Sequence, residues 1–374
     1  MGAHMKIGIT TAFFRNYRAG TWVYARNLLQ ALDALAAGDR QLFTIDYQDA
    51  TFAGLANIPH LKYGGAANRP AKIIWPNLVL PCRAGRDGFD LIHATTHYGT
   101  LVPCRYKNVI TVTDVSPLLH PETHGRLQVA YHRRLFPLVL KRADAVVTIS
   151  ASSKKDIVSA CGIAEDKVHV IHLGVEPRFV PDAPEESEFA RQLPERYILN
   201  IGTLEARKNL PRLLEAYAIA RKRGLDRKLL IGGATGWRLS NLAAIVDKFG
   251  LEEDVNFLGY VKDEELPILY GRADFFVYPS LYEGFGLPIL EAMACGTPVI
   301  TSDCSSMPEV AGEAALLVDP LDVEALAEKM LELVSDKELA ASLRARGIER
   351  AGRFTWEKTA RQTVALYKRT ICGY

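Results

Sequence analysis

The segment Glu283-Gly-Phe-Gly-Leu-Pro-Ile-Leu-Glu291 sets two carboxylates around a glycine-rich helix entry. Gly284 and Gly286 let backbone come close to a ligand. Pro288 suits a first helical turn. The N–H groups of that turn, with the positive end of the helix dipole, favour a phosphate. Glu283 stands before the helix, where its carboxylate can face a sugar. Glu291 stands about one turn inside, where it can accept two hydroxyl hydrogen bonds from a ribose. A second segment, Gly202-Thr-Leu-Glu-Ala-Arg-Lys-Asn209, puts Arg207 beside Lys208. Two adjacent cations can neutralise a diphosphate, Arg by a planar bidentate contact and Lys as a point charge. Taken singly, these are a solvated helix with a glycine-rich entry and a basic turn. Taken together, they describe a seat for a ligand that carries phosphate, sugar hydroxyls and a ribose.

The elements that must hold these residues alternate between short apolar runs and helical stretches, the pattern of βαβ units and parallel sheets. Lys6–Thr11 reads as a first strand and Thr21–Ala36 as a helix, with apolar residues near helical spacing. Phe43–Tyr47, Leu91–His93, Val109–Val112, Ala145–Ile149 and Val168–His172 read as further strands. Leu127–Lys141 and Ser152–Ala160 read as helices between them. Glu176–Pro194, rich in Pro, Glu and Asp, reads as a linker. A second series follows, with strands at Tyr197–Ile201, Lys228–Ile231, Val255–Leu258, Phe275–Tyr278, Val299–Thr301 and Leu316–Val318. Its helices are expected at Leu210–Arg223, Leu239–Phe249, Glu264–Gly271 and Pro288–Ala294, before a long helical tail broken near Gly347 and Gly352. The fold class expected is α/β: two Rossmann-like, doubly wound domains facing across a cleft, with ligands at the carboxyl ends of the strands. The boundaries expected are 5–178 and 179–355, with a last helix of about 356–374 returning to the first domain.

The two glutamates with Gly-Phe-Gly after the first resemble the E-x7-E signature of the retaining family 4 glycosyltransferases of GT-B fold. The flanking text fits: Ala273-Asp274, Val277-Tyr278-Pro279-Ser280, Glu291-Ala-Met-Ala-Cys-Gly-Thr-Pro-Val299, Pro308-Glu-Val310 and Gly312. Arg207-Lys208-Asn209 resembles the same family's Arg-Lys-Asn motif. The resemblance implies donor chemistry in the second half and an acceptor in the first. It assigns the leaving diphosphate to Arg207 and Lys208, and it brings Glu283 and Asp114 into the catalytic set. On the donor side it implies Gly20 and Thr21 in the glycine loop, with Gly202, Thr203 and Gly233 near the phosphates. Gly259, Tyr260 and Val261 would read the base through backbone groups, and Phe285, Gly286, Leu287 and Glu291 would complete the seat. Thr111-Val-Thr-Asp114 and His120-Pro-Glu122 resemble a mannosyltransferase-like subgroup. The usual text there is His-Asp, with the His on the donor sugar, and this chain has Thr113 instead. His93 and His97 end another strand as candidate acceptor contacts. The mechanism implied is same-face attack with retention, the leaving phosphate taking the acceptor proton.

Bulk features bound the alternatives. The chain has 374 residues, 48% hydrophobic and 24% charged, which suits two ordinary globular domains. Met1–His4 reads as a leftover of expression, with Met5 as the native start. No run approaches the roughly 20 apolar residues of a membrane helix, so a cytoplasmic location is expected. The six cysteines are scattered without C-x-x-C, which indicates neither a zinc site nor a disulfide framework. No D-x-D stands near a strand end, so no metal or other cofactor is expected, and the cations and helix dipole would take a metal's part. Through Val180, Lys and Arg outnumber Asp and Glu by 21 to 13; beyond it the balance is 24 to 30. A basic first half could meet an anionic membrane surface or acceptor, and Lys72–Arg83 mixes basic and apolar groups as interfacial segments do. No dense basic patch interleaved with aromatics suggests nucleic acid. The first strand lacks G-x-G-x-x-G, which speaks against a dinucleotide enzyme. A phosphorylase-like enzyme would need a lysine for pyridoxal phosphate and a far longer chain. The other reading kept open is an inactive GT-B partner subunit that binds a nucleotide-sugar.

Overall fold

A computed structural model describes residues 5–11, 20–36, 41–46, 55–64, 74–181, 188–234 and 242–373. The chain divides into two compact units. One comprises residues 1–121, 125–174 and 355–374, the other 122–124 and 175–354.

The first unit is built on a seven-stranded parallel sheet ordered β3-β2-β1-β4-β5-β6-β7. The strands are β1 Lys6–Thr10, β2 Gln41–Asp46, β3 His60–Lys62, β4 Leu91–Ala94, β5 Lys107–Val112, β6 Ala145–Thr148 and β7 Val168–Val170. The apolar runs give strands buried on both faces, as a parallel sheet covered by helices requires. Strand β3 is absent from the expected series, because three residues at a sheet edge leave no readable period. The helix expected over Leu127–Lys141 is two helices, Arg126–Arg134 and Phe136–Arg142. Pro137 lies in the first turn of the second, where its missing N–H costs nothing. Helix Gly20–Leu35 packs against Trp356–Cys372.

The second unit has a six-stranded parallel sheet ordered β10-β9-β8-β11-β12-β13. Its strands are β8 Tyr197–Ile201, β9 Lys228–Gly232, β10 Val255–Gly259, β11 Phe275–Tyr278, β12 Val299–Ser302 and β13 Leu316–Val318. The expected strands fall here within a residue or so of their observed limits. Of the helix expected at Leu239–Phe249, residues 239–241 lie outside the described residues, and Leu242–Phe249 is helical. The chain progresses outward from β8 through β9 to β10, then β11 returns to the other side of β8. The β8/β11 junction is therefore the switch point of the sheet, where loops diverge and leave a crevice.

The long tail breaks after Gly352, as expected, before helix Trp356–Cys372, but its other break is not at Gly347. Asp336, not Gly347, separates helices Val323–Ser335 and Lys337–Gly352, and its carboxylate caps the second by accepting from Leu339 N at 2.8 Å. Gly347 lies inside that helix. A Cβ there would stand 3.3 Å from Met293 Cγ and 3.5 Å from Met293 Cβ, on the helix that carries Glu291. The glycine serves close helix packing. Among the described residues no helix is long and apolar enough to cross a membrane. Gly347→Leu should overpack this contact and lower stability by about 1–3 kcal/mol. An unchanged thermal midpoint would show that the two helices separate freely.

Candidate active site

The loops after β8 and β11 flank the switch point of the second sheet, and they bring Arg207, Lys208 and Glu283 together. Arg207 donates to Glu283 Oε2 at 2.7 Å, and Lys208 Nζ donates to Glu283 Oε1 at 2.6 Å. Tyr278 Oη donates to the same Oε1 at 3.0 Å and also accepts from Lys208. Arg207 Nε reaches Glu205 at 2.9 Å, and its Nη1 reaches the carbonyl of Tyr282 at 3.2 Å. Lys208 and Glu283 are both buried. Burial by itself would raise the Glu283 pKa, but Arg207 and Lys208 outweigh it and hold the carboxyl at about 2. Burial, with the Arg207 charge, lowers Lys208 to about 8 against the pull of Glu283.

The backbone beneath these groups is locked. Asn209 closes the Arg-Lys turn in the left-handed region, φ 61°, which asparagine tolerates better than most residues. Its amide donates to the carbonyls of Pro279 and Pro320 at 3.1 and 2.7 Å. Ser305, at φ 57°, meets both the N–H and the carbonyl of Glu283. Ser306 donates to the carbonyls of Glu283 and Phe285 at 2.8 and 2.7 Å.

The expected donor-side positions gather at the same sheet edge. Gly202 follows β8, and a Cβ on it would meet Lys208 Cε at 3.3 Å. Gly233 follows β9 at φ 145°, and a Cβ there would stand 1.9 Å from the carbonyl oxygen of Gly202. No side chain fits between these two loops. Gly233 N donates to the carbonyl of Gly259, which has φ 65°. Thr203 and Tyr260 are exposed, while Val261 is buried. Gly286, φ 112°, opens helix Leu287–Ala294. Phe285 does not offer its ring to a ligand: it is buried edge-to-face on Phe354, centroids 5.9 Å apart. Glu291 accepts from Tyr270 Oη at 3.0 Å. Burial raises its pKa to about 7, with Glu176 and Asp263 adding, against the Tyr270 hydrogen bond and Arg178.

In the first unit, the expected positions end strands β1, β4 and β5. Gly20 opens the helix after β1 with open space around it, and Thr21 lies within the first turn; Ala19 lies outside the described residues. His93 has no exposed surface. Its Nδ1 meets Tyr367 Oη at 2.6 Å, and its Nε2 meets Thr111 Oγ1 at 2.7 Å. Burial drives its pKa down to about 3. The acceptor reading of His93 is thus corrected: it is a neutral core histidine tying β4 to β5 and to the last helix. His97 is half-buried and brings Nε2 to 3.3 Å from Thr113 Oγ1. His132 lies on the other side of that ring at 3.3 Å and is itself fixed by the carbonyl of Gln128 at 2.8 Å. Sequence reasoning missed His132, because its partner comes from a distant strand end. Asp114 accepts from Ser116 N at 2.8 Å, closing the turn into a short helix. Among the described residues no group of three or more His, Cys, Asp or Glu is arranged to hold a metal ion.

Residues 183–350 match the family model of glycosyl transferases group 1, and residues 18–179 match that of Glycosyltransferase Family 4. The O-antigen chain mannosyltransferase B of Escherichia coli is 37% identical over 290 residues, 76% of this chain and 75% of that one. The O-antigen chain mannosyltransferase RfbU of Salmonella typhimurium is 30% identical over 313 residues, 81% of this chain and 84% of that one. In fold, the chain is similar to HepE of Anabaena, solved with UDP and glucose, at a TM-score of 0.76 and 21% identity, covering 98% of this chain and all of that one. The two parallel sheets and these matches define a glycosyltransferase of GT-B fold. The chain belongs to the family 4 glycosyltransferases and is similar to their mannosyltransferases.

Glu283 carries the pH dependence of the cluster. Its folded pKa, about 2, lies below its ordinary 4.5. Its stabilisation is therefore complete above pH 4.5 and is lost as pH falls toward 2, about 3 kcal/mol in all. Glu283→Gln should be less stable at pH 7 by about 3–5 kcal/mol, since it leaves the buried Lys208 without its carboxylate and Arg207 with Glu205 alone. It should also lose this part of the acid limb; a variant that keeps the wild-type slope between pH 4.5 and 2 would assign the slope to other groups.

Proposed function

We propose that the enzyme transfers mannose from a nucleoside-diphosphate mannose, GDP-mannose first, to a glycan acceptor, with retention and without a metal. The cluster of Arg207, Lys208 and Glu283 at the switch point carries this reading. Two cations on a rigid turn suit the charge that grows on a departing diphosphate, an electrostatic role that needs no divalent ion. Glu283 holds both cations in register. The mannose assignment rests on the two O-antigen mannosyltransferase relatives, and a UDP-hexose is the donor to test beside it. On the acceptor side, His97 supplies an imidazole next to Thr113, where the subgroup's usual histidine is missing, and His132 orients it. Asp114 is the carboxylate nearest that position in sequence.

The test is transfer from GDP-mannose and from UDP-hexoses to mannose-terminated oligosaccharides, with the product linkage read by NMR. The expected result is an α-linked mannosyl product from GDP-mannose that persists in excess EDTA. Arg207→Ala and His97→Ala should each lower the rate by about 10²-fold or more. A β-linked product, or activity lost with EDTA and restored by a divalent ion, would overturn the mechanism. Turnover of a UDP-hexose alone would move the donor.

Glu291 gives a second check. A carboxylate accepts two ribose hydroxyls only when ionised, and this one ionises near pH 7. Affinity for GDP-mannose, whose diphosphate diester does not titrate there, should rise from pH 6 to pH 8. In Glu291→Gln the affinity should be lower and flat over that range. Isothermal titration in two buffers should register proton release on binding at pH 6, and its absence would remove Glu291 from the ribose.

A further inference from the structure

The stretch from Glu176, linker-like in sequence, begins as a packed turn of the second unit, which the chain enters at Val175. Phe179 N donates to the carbonyl of Glu176 at 3.1 Å and closes the turn. The Arg178 guanidinium lies 4.8 Å from the centre of the Phe179 ring. Phe179 is buried and meets Tyr270 edge-on, centroids 5.9 Å apart. Tyr270 is the residue whose hydroxyl donates to Glu291. The turn therefore stands behind the carboxylate that the donor reading gives to the ribose.

Arg178 also reaches a second part of that site. Its Nη1 donates to the carbonyl of Asp263, and its Nη2 donates to Glu176 Oε1 at 3.2 Å. Asp263 follows Gly259-Tyr-Val261, the backbone expected to face the base, and precedes helix Leu266–Gly271, which carries Tyr270. A planar fork fixed at both tips, with a ring beneath it, has little freedom left. Its charge matters as well as its shape. Glu176 and Asp263 repel the Glu291 carboxylate, and Arg178 attracts it. Cys295, one turn further along the same helix, stays a neutral thiol, pushed up to about 12 by burial.

We propose that Arg178 is a positioning residue for the donor's nucleoside, holding the 259–263 loop and the Glu291 carboxylate at the spacing that one base and its ribose require. Base and ribose are joined by a single bond, so a loop that holds one and a helix that holds the other cannot drift apart. Arg178 grips the loop through the Asp263 carbonyl. It steadies the helix through Phe179, Tyr270 and its own charge. It acts through these groups and not by touching the nucleotide. The inference rests on the donor reading of Glu291 and adds the residue that sets it in place.

The test is calorimetric titration of the full chain with GDP-mannose and with UDP-glucose across neutral pH. Arg178→Met removes the charge and the fork but keeps an apolar stem on Phe179. Arg178→Lys keeps the charge without the fork. For the nucleotide-sugar that wild type binds, Arg178→Met should weaken affinity about tenfold. Its rise of affinity with pH should also move to higher pH, because Glu291 loses the cation that favours its ionised form. Arg178→Lys should keep the wild-type pH profile and recover part of the affinity. In a Glu291→Gln background, Arg178→Met should cost less than it does in wild type, as coupled residues require. Affinity lowered by one factor at every pH, with no such coupling, would mark a purely structural role and overturn the proposal. Unchanged affinity in Arg178→Met would overturn it too. Wild type that binds neither nucleotide-sugar would instead overturn the donor reading itself, and this role with it.

Discussion

The carboxylate of Glu283, held between Arg207 and Lys208, is the constraint on which the second unit's site rests. It joins the loop after β8 to the loop after β11 across a sequence gap of 75 residues. A buried lysine would otherwise shed its proton, and a buried carboxylate would take one up. Each keeps its charge because the other is present. The turn beneath is equally committed: Asn209 and Ser305 both occupy left-handed backbone, and their side chains bind the strand-end carbonyls that hold them there. Strain at both ends of the ion cluster is thus offset by hydrogen bonds that also fix its geometry.

The glycines serve the same end from the other side. Gly202 and Gly233 approach so closely that a methyl group on Gly233 would lie on a carbonyl oxygen. This closeness brings the ends of β8, β9 and β10 into one shelf, tied by Gly233 N to the carbonyl of Gly259. Backbone groups then line this shelf beside the side chains of Arg207 and Lys208. That is why Phe285 can turn its ring into the core without loss to the site.

Much of this was legible in the residues. Strands of the second unit were found because each is a short apolar run ended by Gly, Pro or a charged turn. Arg207, Lys208, Glu283 and Glu291 stand out in the sequence because each lies in a local motif of a strand–loop–helix unit. What was not legible is pairing between distant loops. Nothing near Glu283 says that its oxygens will be taken by cations from another strand end, nor near His97 that His132 will brace it. His93 was misread although a signal existed: it alternates with Ile92 and Ala94 in a strand covered on both faces, so its ring had to be buried. Gly347 was misread for the opposite reason, since a helix glycine looks like a break until its packing partner, Met293, is known.

The charge of the cluster bears on how such a site can work. Arg207 and Lys208 are matched by Glu205 and Glu283, so the site carries almost no net charge of its own. A diphosphate in the ground state, with its charge spread over a sugar ester, competes poorly with carboxylates already in place. In the donor reading proposed above, charge would accumulate on the leaving oxygens as the bond to the sugar breaks, and the cations would respond more strongly to them. Interactions that strengthen only along that coordinate lower the barrier, whereas equal binding of substrate and transition state would not. Two bare cations would bind the donor and its product tightly and release neither. Cations already balanced by fixed carboxylates gain most where the charge changes most, and the geometry that Glu283 imposes keeps them there without reorganisation.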